Sequence, residues 1–316
     1  MKERVSADIG TWLRHLLGSG VELKGASPVS GGSINEACRL DTTEGPFFLK
    51  RKRRAPAGFF ACEARGLELL RRAGAQVPAV IGWLDVDEEG AEEFAEPGSA
   101  YLLLEWLDKA PWTPRTMEEL GRSLARVHGA GAPALSGPHA GYGLDGDSYI
   151  GELPQPNRIM DDWTEFYRAC RLQPQFELGL ESGRIAPGSQ RARRLEYVIR
   201  HLDKWIPRRP EPSLLHGDLW AGNAMAARSS GGAEPEAWFL DPSVCVGHHE
   251  VDLAFSEYFG GFSPAFYAAY REAHGLDGLY AERKPLYQLY YLLVHLNLFG
   301  EGYGAAVDSI LRRYAP

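Results

Sequence analysis

Two acidic residues and one amide in this sequence stand at positions that suit phosphoryl transfer. Asp218 and Asn223 belong to the stretch HGDLWAGN at 216–223, and Asp241 ends the apolar run at 237–240. Transfer from ATP needs a carboxylate that orients the attacking hydroxyl and takes its proton, together with oxygen ligands for Mg²⁺. Because Mg²⁺ keeps several waters, one amide and one carboxylate are enough to hold it. We therefore expect Asp218 to be a catalytic base and Asn223 and Asp241 to be metal ligands.

A structural interpretation of the same motif competes with this one. His-Gly-Asp on its own is a common turn, in which glycine supplies an unusual backbone angle and aspartate caps the residues that follow. The context favours the catalytic interpretation, because apolar residues precede both acids and the second acid stands where a metal ligand is required. The joint pattern is specific, whereas either half alone is weak.

Length, composition and charge restrict the class of protein. The chain has 316 residues, of which 44% are apolar, so about two domains with a sizeable core are expected. A formal net charge of -8 argues against a nucleic-acid surface as the main role. The four cysteines include no CxxC pair, which fits free thiols in a reducing compartment. No segment resembles a secretory signal or reaches the roughly 18 apolar residues of a membrane span, so we expect a cytoplasmic protein.

A glycine-rich turn near the N-terminus could cover the phosphates of a nucleotide. Gly31, Gly32 and Ser33 lie between two predicted strands. Paired glycines let backbone amides approach a phosphate closely, and they also simply form a hairpin. Considered alone, the turn favours the hairpin. A lysine that ends a nearby strand makes the phosphate interpretation competitive.

That lysine is Lys50, and its interpretation depends on a partner. It opens the run KRKRR, and such charge runs are usually solvated patches. Glu63, however, falls on the apolar stripe of a helix predicted over 59–73, where a carboxylate is costly unless it is paired. An ion pair between Lys50 and Glu63 would neutralise the carboxylate on the apolar stripe and would distinguish Lys50 from the solvated residues of the run. It would also match the strand lysine and helix glutamate of kinases.

The order of the predicted elements indicates two lobes. An amphipathic helix, opened by Ser6 and closed near Gly18 or Gly20, precedes five strands and the helix that carries Glu63. We predict an α+β, protein-kinase-like fold with a small antiparallel-sheet lobe at 1–104, a hinge at 105–108 and a larger, mostly helical lobe at 109–316. On position alone, the hinge backbone would bind adenine, and its binding residues would be Glu105, Trp106 and Leu107.

The second lobe is predicted to be helical apart from a long irregular connection at 130–157. Asp252 lies in an apolar run near 250–254, so we expect it to be buried and to accept hydrogen bonds from the backbone of the catalytic loop. With His216 it would support that loop. The sequence His248-His249-Glu250 is not expected to bind a metal, because neighbours on a helix point about 100° apart.

With these residues in view, the chain resembles the fructosamine kinase (ketosamine-3-kinase) family, whose members are relatives of aminoglycoside phosphotransferases. The resemblance covers nearly the whole chain. The segments that carry it are PVSGGSIN at 28–35, FFLK at 47–50, LEWL at 104–107, PQPN at 154–157, RLQPQ at 171–175, HGDLWAGN at 216–223, EVDLA at 250–254, FGGF at 259–262, LYQLY at 286–290 and HLNLFG at 295–300.

The resemblance implies a substrate and a set of roles. The substrate would be a ketosamine, the Amadori product of a sugar and an amine, phosphorylated by ATP and Mg²⁺ at the sugar's 3-hydroxyl in a deglycation pathway. It implies the roles that were inferred above from the residues themselves: Asp218 as the base, Asn223 and Asp241 as metal ligands, and Lys50 as the phosphate-binding lysine with Glu63 as its partner. Trp220 offers a flat apolar face beside the base, and on that ground we expect it to stack on the sugar.

Two alternatives remain at this point. The chain could be another small-molecule kinase of the same fold, acting on an aminoglycoside, choline or a similar alcohol, or it could bind a nucleotide without catalysis. The complete set of functional residues argues against the second alternative. Neither the sugar and amine of the substrate nor the oligomeric state follows from the sequence.

Overall fold

The computed structural model describes residues 2–29, 35–130, 141–229 and 232–316. The strands are β1 (Leu23–Pro28), β2 (Glu36–Thr42), β3 (Gly45–Arg53), β4 (Val80–Leu84), β5 (Ser99–Glu105), β6 (Asp108–Lys109), β7 (Ser148–Ile150), β8 (Leu153–Gln155), β9 (Pro212–Leu215), β10 (Ala224–Arg228), β11 (Glu236–Phe239) and β12 (Cys245–His248). The helices are α1 (Lys2–Leu17), α2 (Phe59–Arg72), α3 (Pro114–Ala130), α4 (Trp163–Tyr167), α5 (Gln173–Glu181), α6 (Gln190–Arg200), α7 (Glu250–Ser256), α8 (Pro264–His274), α9 (Tyr280–Phe299) and α10 (Gly304–Tyr314).

The chain forms two compact units. The first unit consists of Met1–Leu120 and Gly222–Pro242, and the second consists of Gly121–Ala221 and Ser243–Pro316. The first unit therefore includes the segment 222–242 in addition to the residues predicted for the small lobe. The predicted hinge at 105–108 stays a prediction. In the parts of the chain described above, no helix combines the length and the apolar character that a membrane crossing requires.

The first unit contains the predicted five-stranded antiparallel sheet, in the order β1-β2-β3-β5-β4. Helix α1 packs on one face of this sheet through Trp12 and Leu13, which form a buried cluster with Leu49 of β3. Successive side chains of a strand point to opposite faces, so Lys50, the next residue, points to the other face. The α+β class is confirmed. Helix α1 begins at Lys2 rather than at the predicted Ser6, because the charged residues before Ser6 are good helix formers.

A buried carboxylate fixes the start of helix α2. Asp85, which follows β4, accepts hydrogen bonds from the backbone amides of Phe60 at 2.9 Å and Ala61 at 2.8 Å. It is 1% exposed, and burial raises the pKa of its carboxyl although the amides oppose the shift. These amides are among the donors that a helix start leaves without intrahelical partners. Sequence analysis missed this residue, and its signal was a lone acid in the apolar run before the acidic stretch at 87–93.

A second sheet of the first unit carries the segment after the catalytic motif. Strands β10 and β11 form an antiparallel hairpin, and β10 also pairs with β6 in the order β11-β10-β6. Leu107 packs here in a buried cluster with Ala227 and Trp238. The hairpin brings its two ends together, so Asn223 before β10 and Asp241 after β11 lie close to each other.

The second unit is mostly helical, as predicted. Helix α9 is its central element, and residues on several of its faces, such as Leu286, Tyr291 and Leu292, are at most 2% exposed. Strands β9 and β12 pair antiparallel, with Leu215 opposite Cys245. The stretch at 130–157, predicted to be irregular, contains the hairpin β7–β8. Its three-residue strands are too short to give an alternating apolar pattern.

Candidate active site

In the second unit, the loop after β9 holds the predicted catalytic base. His216 is fully buried and Gly217 adopts a positive φ of 80°. A Cβ atom at Gly217 would lie 1.8 Å from the carbonyl oxygen of Ser243, so this position accepts glycine alone. The backbone amide of Asp218 donates to Nδ1 of His216 at 3.2 Å. The loop therefore presents Asp218, which is partly exposed, from a tightly fixed backbone.

Asp252 fixes the backbone of that loop through hydrogen bonds. Its carboxylate accepts hydrogen bonds from the amides of His216 at 2.7 Å and Gly217 at 2.9 Å, and it is 0% exposed. Nε2 of His128 lies 3.0 Å from the same carboxylate. The predicted contact between Asp252 and the catalytic-loop amides is present, and His128 is a buried core residue.

Two further contacts support the loop and were not found from the sequence. The hydroxyl of Tyr291 donates to the carbonyl oxygen of Gly217 at 2.7 Å, and the amide of Ser243 donates to the carbonyl oxygen of His216 at 2.9 Å. Gln155 in turn donates to the Ser243 hydroxyl at 2.7 Å. Tyr291 stands in the mostly apolar stretch 286–299 of α9, so no pattern in the sequence separates it from ordinary core residues.

Trp220, the predicted sugar-stacking residue, lies at the surface of the second unit. Its side chain is 38% exposed, and its ring makes an edge contact with Phe259 at a centroid distance of 6.1 Å. Trp220 stands two residues after Asp218 in the same loop. Its role in binding a sugar stays a prediction.

In the first unit, Lys50 lies between two carboxylates. Its Nζ is 2.7 Å from Oε1 of Glu63 and 2.7 Å from Oδ1 of Asp241, and the residue is 5% exposed. Burial alone would lower the pKa of Lys50, but the charges of Asp241 and Glu63 outweigh it and hold the pKa above its usual value. The predicted ion pair with Glu63 is present. The ammonium group is therefore charged and directed toward the carboxylate at the end of β11.

Glu63 is the more buried of the two acids. Burial raises the pKa of Glu63 to about 7, against the attraction of Lys50 and with the repulsion of Asp241. Two carboxylates thus share one ammonium group, and of the two only Asp241 keeps a large contact with solvent. A carboxyl pKa raised by burial and a neighbouring acid is typical of functional sites.

The basic run that begins at Lys50 is only partly solvated, because Lys50 and Arg51 are buried whereas Arg53 and Arg54 are exposed. Arg51 is only 7% exposed and forms an ion pair with Glu96, while Arg53 forms one with Glu36. Residues of β3 alternate between the two faces of the sheet, which separates Lys50 from Arg51 and Arg53. The competing interpretation of the run is therefore wrong for Lys50 and Arg51.

Asn223 and Asp241 come together at the end of the β10–β11 hairpin. Asn223 is 6% exposed, and its Nδ2 donates to the carbonyl oxygen of Asp241 at 3.5 Å, while the amide of Leu240 donates to the carbonyl oxygen of Asn223 at 2.9 Å. Asp241 has a φ of 50°, which is uncommon for a residue with a side chain and is often found at functional sites.

These two residues fit a magnesium ion. The Asp241 side chain is 47% exposed, so its carboxylate keeps a solvent-facing part although Lys50 contacts one oxygen. An amide oxygen and a carboxylate are the hard oxygen ligands that Mg²⁺ accepts, and the solvent-facing position leaves room for its waters. The two residues therefore fit Mg²⁺ through the chemistry of their oxygen atoms and through the access of Asp241 to water.

The predicted hinge residues have defined contacts in the first unit. The Glu105 carboxylate accepts from the amide of Ala79 at 3.2 Å, Trp106 Nε1 donates to Asp108 at 2.8 Å, and Leu107 is buried against the β10–β11 hairpin. Their role in adenine binding stays a prediction. Gly31, Gly32 and Ser33, predicted to cover the phosphates, lie outside the described residues.

The prediction that His248, His249 and Glu250 are neighbours on one helix is wrong. Side-chain atoms of the three residues lie within 4.8 Å of one another, because His248 ends β12 and His249 precedes α7, so they are not neighbours on one helix. Both carboxylate oxygens of Glu250, however, accept hydrogen bonds from Arg283, at 2.7 and 2.6 Å. A guanidinium group in this position opposes a metal ion.

The sheet, the strand lysine with its helix glutamate, and the loop that carries Asp218 define a phosphotransferase of protein-kinase-like fold. A solved structure of the aminoglycoside phosphotransferase APH(4)-Ia has this fold. It superposes on this chain with a TM-score of 0.58, covering 98% of this chain and 99% of that one, at 17% identity. Such a low identity supports the fold alone.

Within that class, the chain belongs to the fructosamine kinase family, whose model matches residues 5–315. A protein of Enterococcus faecium named "Probable ketoamine kinase" is 37% identical over 91% of this chain and 94% of its own length. The crystal structure of a "Putative fructosamine-3-kinase" from Haemophilus somnus 129PT superposes with a TM-score of 0.80 at 27% identity, covering 97% of this chain and 96% of that one.

Proposed function

We propose that this protein is an ATP-dependent kinase that phosphorylates the 3-hydroxyl of a ketosamine. The observation that carries the proposal is the pairing of Lys50 with both Glu63 and Asp241 in a member of the fructosamine kinase family. The names of its relatives, a ketoamine kinase and a fructosamine-3-kinase, support the ketosamine as the acceptor.

The first unit supplies the residues for the nucleotide. Lys50 would contact the phosphates, and Glu63 would keep its ammonium group charged and oriented. Asn223 and Asp241 would hold Mg²⁺, which neutralises charge on the triphosphate when it is bound. The backbone of Glu105, Trp106 and Leu107 and the turn with Gly31, Gly32 and Ser33 are proposed to contact adenine and the phosphates, respectively.

The second unit supplies the residues for the acceptor. Asp218 would orient the attacking hydroxyl of the sugar and take its proton as the oxygen bonds to the γ-phosphorus and the bond from that phosphorus to the leaving ADP breaks. Asp252 and His216 would keep the backbone of that loop in place. Trp220 would offer its exposed ring to the apolar face of the sugar. The proposed base Asp218 and the first proposed metal ligand, Asn223, are only five positions apart in the sequence.

The product indicates the physiological role. In a 3-phosphorylated ketosamine, loss of a proton from carbon 1 gives an enaminol that expels inorganic phosphate from carbon 3, and hydrolysis of the resulting imine by water releases the free amine. We propose that the enzyme thereby reverses the attachment of sugars to amines. The sugar and the amine of its own substrate are questions for the acceptor assay.

That assay measures ADP release by the purified protein with ATP, Mg²⁺ and a panel of acceptors. Fructosamines and ribulosamines, the Amadori products of glucose and ribose with an amine, are compared with aminoglycosides, choline and free fructose at equal concentrations. The proposal predicts turnover of the ketosamines and at most weak turnover of the others. Preference for an aminoglycoside or choline would replace the proposed acceptor. Thermal stabilisation by ATP and Mg²⁺ without turnover of any acceptor would indicate a nucleotide-binding protein without catalysis.

A further inference from the structure

The second unit exposes a continuous set of aromatic rings that begins in the catalytic loop. We name it the aromatic platform; its members are Trp220, Phe259, His295, Phe299 and Tyr303. Phe259 contacts Trp220 at a centroid distance of 6.1 Å and His295 at 5.1 Å. His295 in turn contacts Phe299 at 5.6 Å and Tyr303 at 5.0 Å.

The exposure of these rings is unusual for the chain. Among the described residues, six large apolar side chains are strongly exposed, and the platform contains three of them: Trp220 at 38%, Phe259 at 42% and Phe299 at 50%. Single exposed apolar residues are normal, whereas a contiguous exposed group marks a binding surface. The remaining three are Trp83, which belongs to the first unit, Ile159 and Leu279.

The platform is built onto the catalytic loop. Gly261, two residues after Phe259, has a φ of 99°, and a Cβ atom there would lie 2.3 Å from Cβ of Ala221. The turn that carries Phe259 therefore touches the loop residue next to Trp220. Beneath it, Phe255 stacks on Tyr291 at 3.7 Å, and the Tyr291 hydroxyl binds the carbonyl oxygen of Gly217. The rings and the base thus share one rigid support.

We propose that the part of the platform beyond Trp220 binds the amine-derived portion of the acceptor, and that it selects ketosamines whose amine carries a bulky apolar or aromatic group. This inference rests on the proposed function. If Trp220 stacks on the sugar, the amine substituent extends away from the reacting hydroxyl, and Phe259, His295 and Phe299 continue the surface that Trp220 begins.

The chemistry of the rings suits this part of the substrate. The secondary amine of a ketosamine is protonated at neutral pH, and the faces of Trp, Tyr and Phe rings attract cations. Burial lowers the pKa of His295, so its ring is neutral and does not repel the ammonium group. Apolar atoms of the substituent gain from contact with ring edges and faces.

The test uses ketosamines that share the sugar fructose and differ in the amine, namely glycine, propylamine and benzylamine. For the wild-type enzyme we expect kcat/KM to be higher for the benzylamine adduct than for the glycine adduct. In Phe259→Ala and Phe299→Ala we expect this preference to fall roughly three- to tenfold, as the loss of one ring contact implies. Leu279→Ala is the matched control, because Leu279 is 55% exposed immediately before the same helix that ends with Phe299, and it should leave the preference unchanged.

Each other outcome has a defined meaning. Turnover of all three adducts at similar kcat/KM, unaltered in both phenylalanine variants, overturns the platform and leaves the proposed function standing. No turnover of any ketosamine overturns the proposed function and the platform with it. A change of oligomeric state in Phe259→Ala, measured by light scattering over a dilution series, together with an unchanged preference, would assign the rings to self-association instead.

Discussion

Removal of the Asp252 carboxylate should loosen the catalytic loop from within the second unit. In Asp252→Ala, the backbone amides of His216 and Gly217 lose their acceptors at 2.7 and 2.9 Å, and no water reaches them readily because Asp252 and His216 are fully buried. Nε2 of His128 loses the same partner. The variant tests whether this carboxylate is what holds the loop that presents Asp218.

The magnitude follows from the two amides. A buried donor left without an acceptor costs about 1–3 kcal/mol, so two amides cost about 2–6 kcal/mol. That is a large part of the roughly 5–15 kcal/mol by which a folded protein is stable. Asp252→Asn keeps one oxygen acceptor and should lose about half as much. The order of stability should therefore be wild type, then the asparagine variant, then the alanine variant.

Two measurements check this order. Urea unfolding gives the free energy of unfolding, and hydrogen–deuterium exchange of the peptide that spans 214–223 gives the protection of the loop amides. Asp203→Asn is the control, because Asp203 is exposed and its replacement should change stability by less than about 0.5 kcal/mol. A loss below about 1 kcal/mol in Asp252→Ala with unchanged exchange of the loop peptide would refute the reasoning.

Three further predictions concern other groups. Asp218→Asn should lower kcat by about 10²–10⁴ while ATP binding, measured by calorimetry, stays unchanged; retained turnover would exclude Asp218 as the base. Glu63→Gln should raise KM for ATP about tenfold or more, since a charge-assisted contact to Lys50 contributes about 1.5–3 kcal/mol; an unchanged KM would contradict the role of the pair. Burial and the charge of Arg283 lower the pKa of His248 from 6.5 to about 3, so the unfolded chain binds the extra proton. Stability should fall as the pH drops from about 6.5 toward 3, and at pH 5 this histidine should cost about 2 kcal/mol. His248→Asn should remove that part of the pH dependence of urea unfolding, and an identical dependence in the variant would show that other groups cause it.

Local chemistry in the sequence was enough to predict contacts where a residue conflicted with its surroundings. Glu63 on an apolar stripe required a cation, and Asp252 in an apolar run required donors; the structure shows Lys50 in the first case and two loop amides in the second. A buried charge has few ways to be satisfied, so its partner can be deduced. The same argument would have found Asp85.

Other contacts depend on tertiary packing that no local pattern records. The third member of the Lys50 cluster, Asp241, comes from a hairpin some 190 residues later in the sequence, and its contact with Lys50 appears only in the fold. Tyr291 is one aromatic residue among many in α9, and its hydroxyl has a role only because the helix passes beneath Gly217. The geometry of His248 and His249 was wrong because a strand end was taken for a helix.

The position of the phosphate on the product tests the central proposal most directly. Purified protein is incubated with ATP, Mg²⁺ and a fructosamine, and the product is examined by ³¹P and ¹³C NMR alongside a reaction with Asp218→Asn. We predict that the phosphate is bonded to the oxygen on carbon 3 of the sugar, that the free amine then appears, and that the variant forms neither at a comparable rate. A phosphate on any other hydroxyl, or no phosphorylated ketosamine at all, would contradict the proposal.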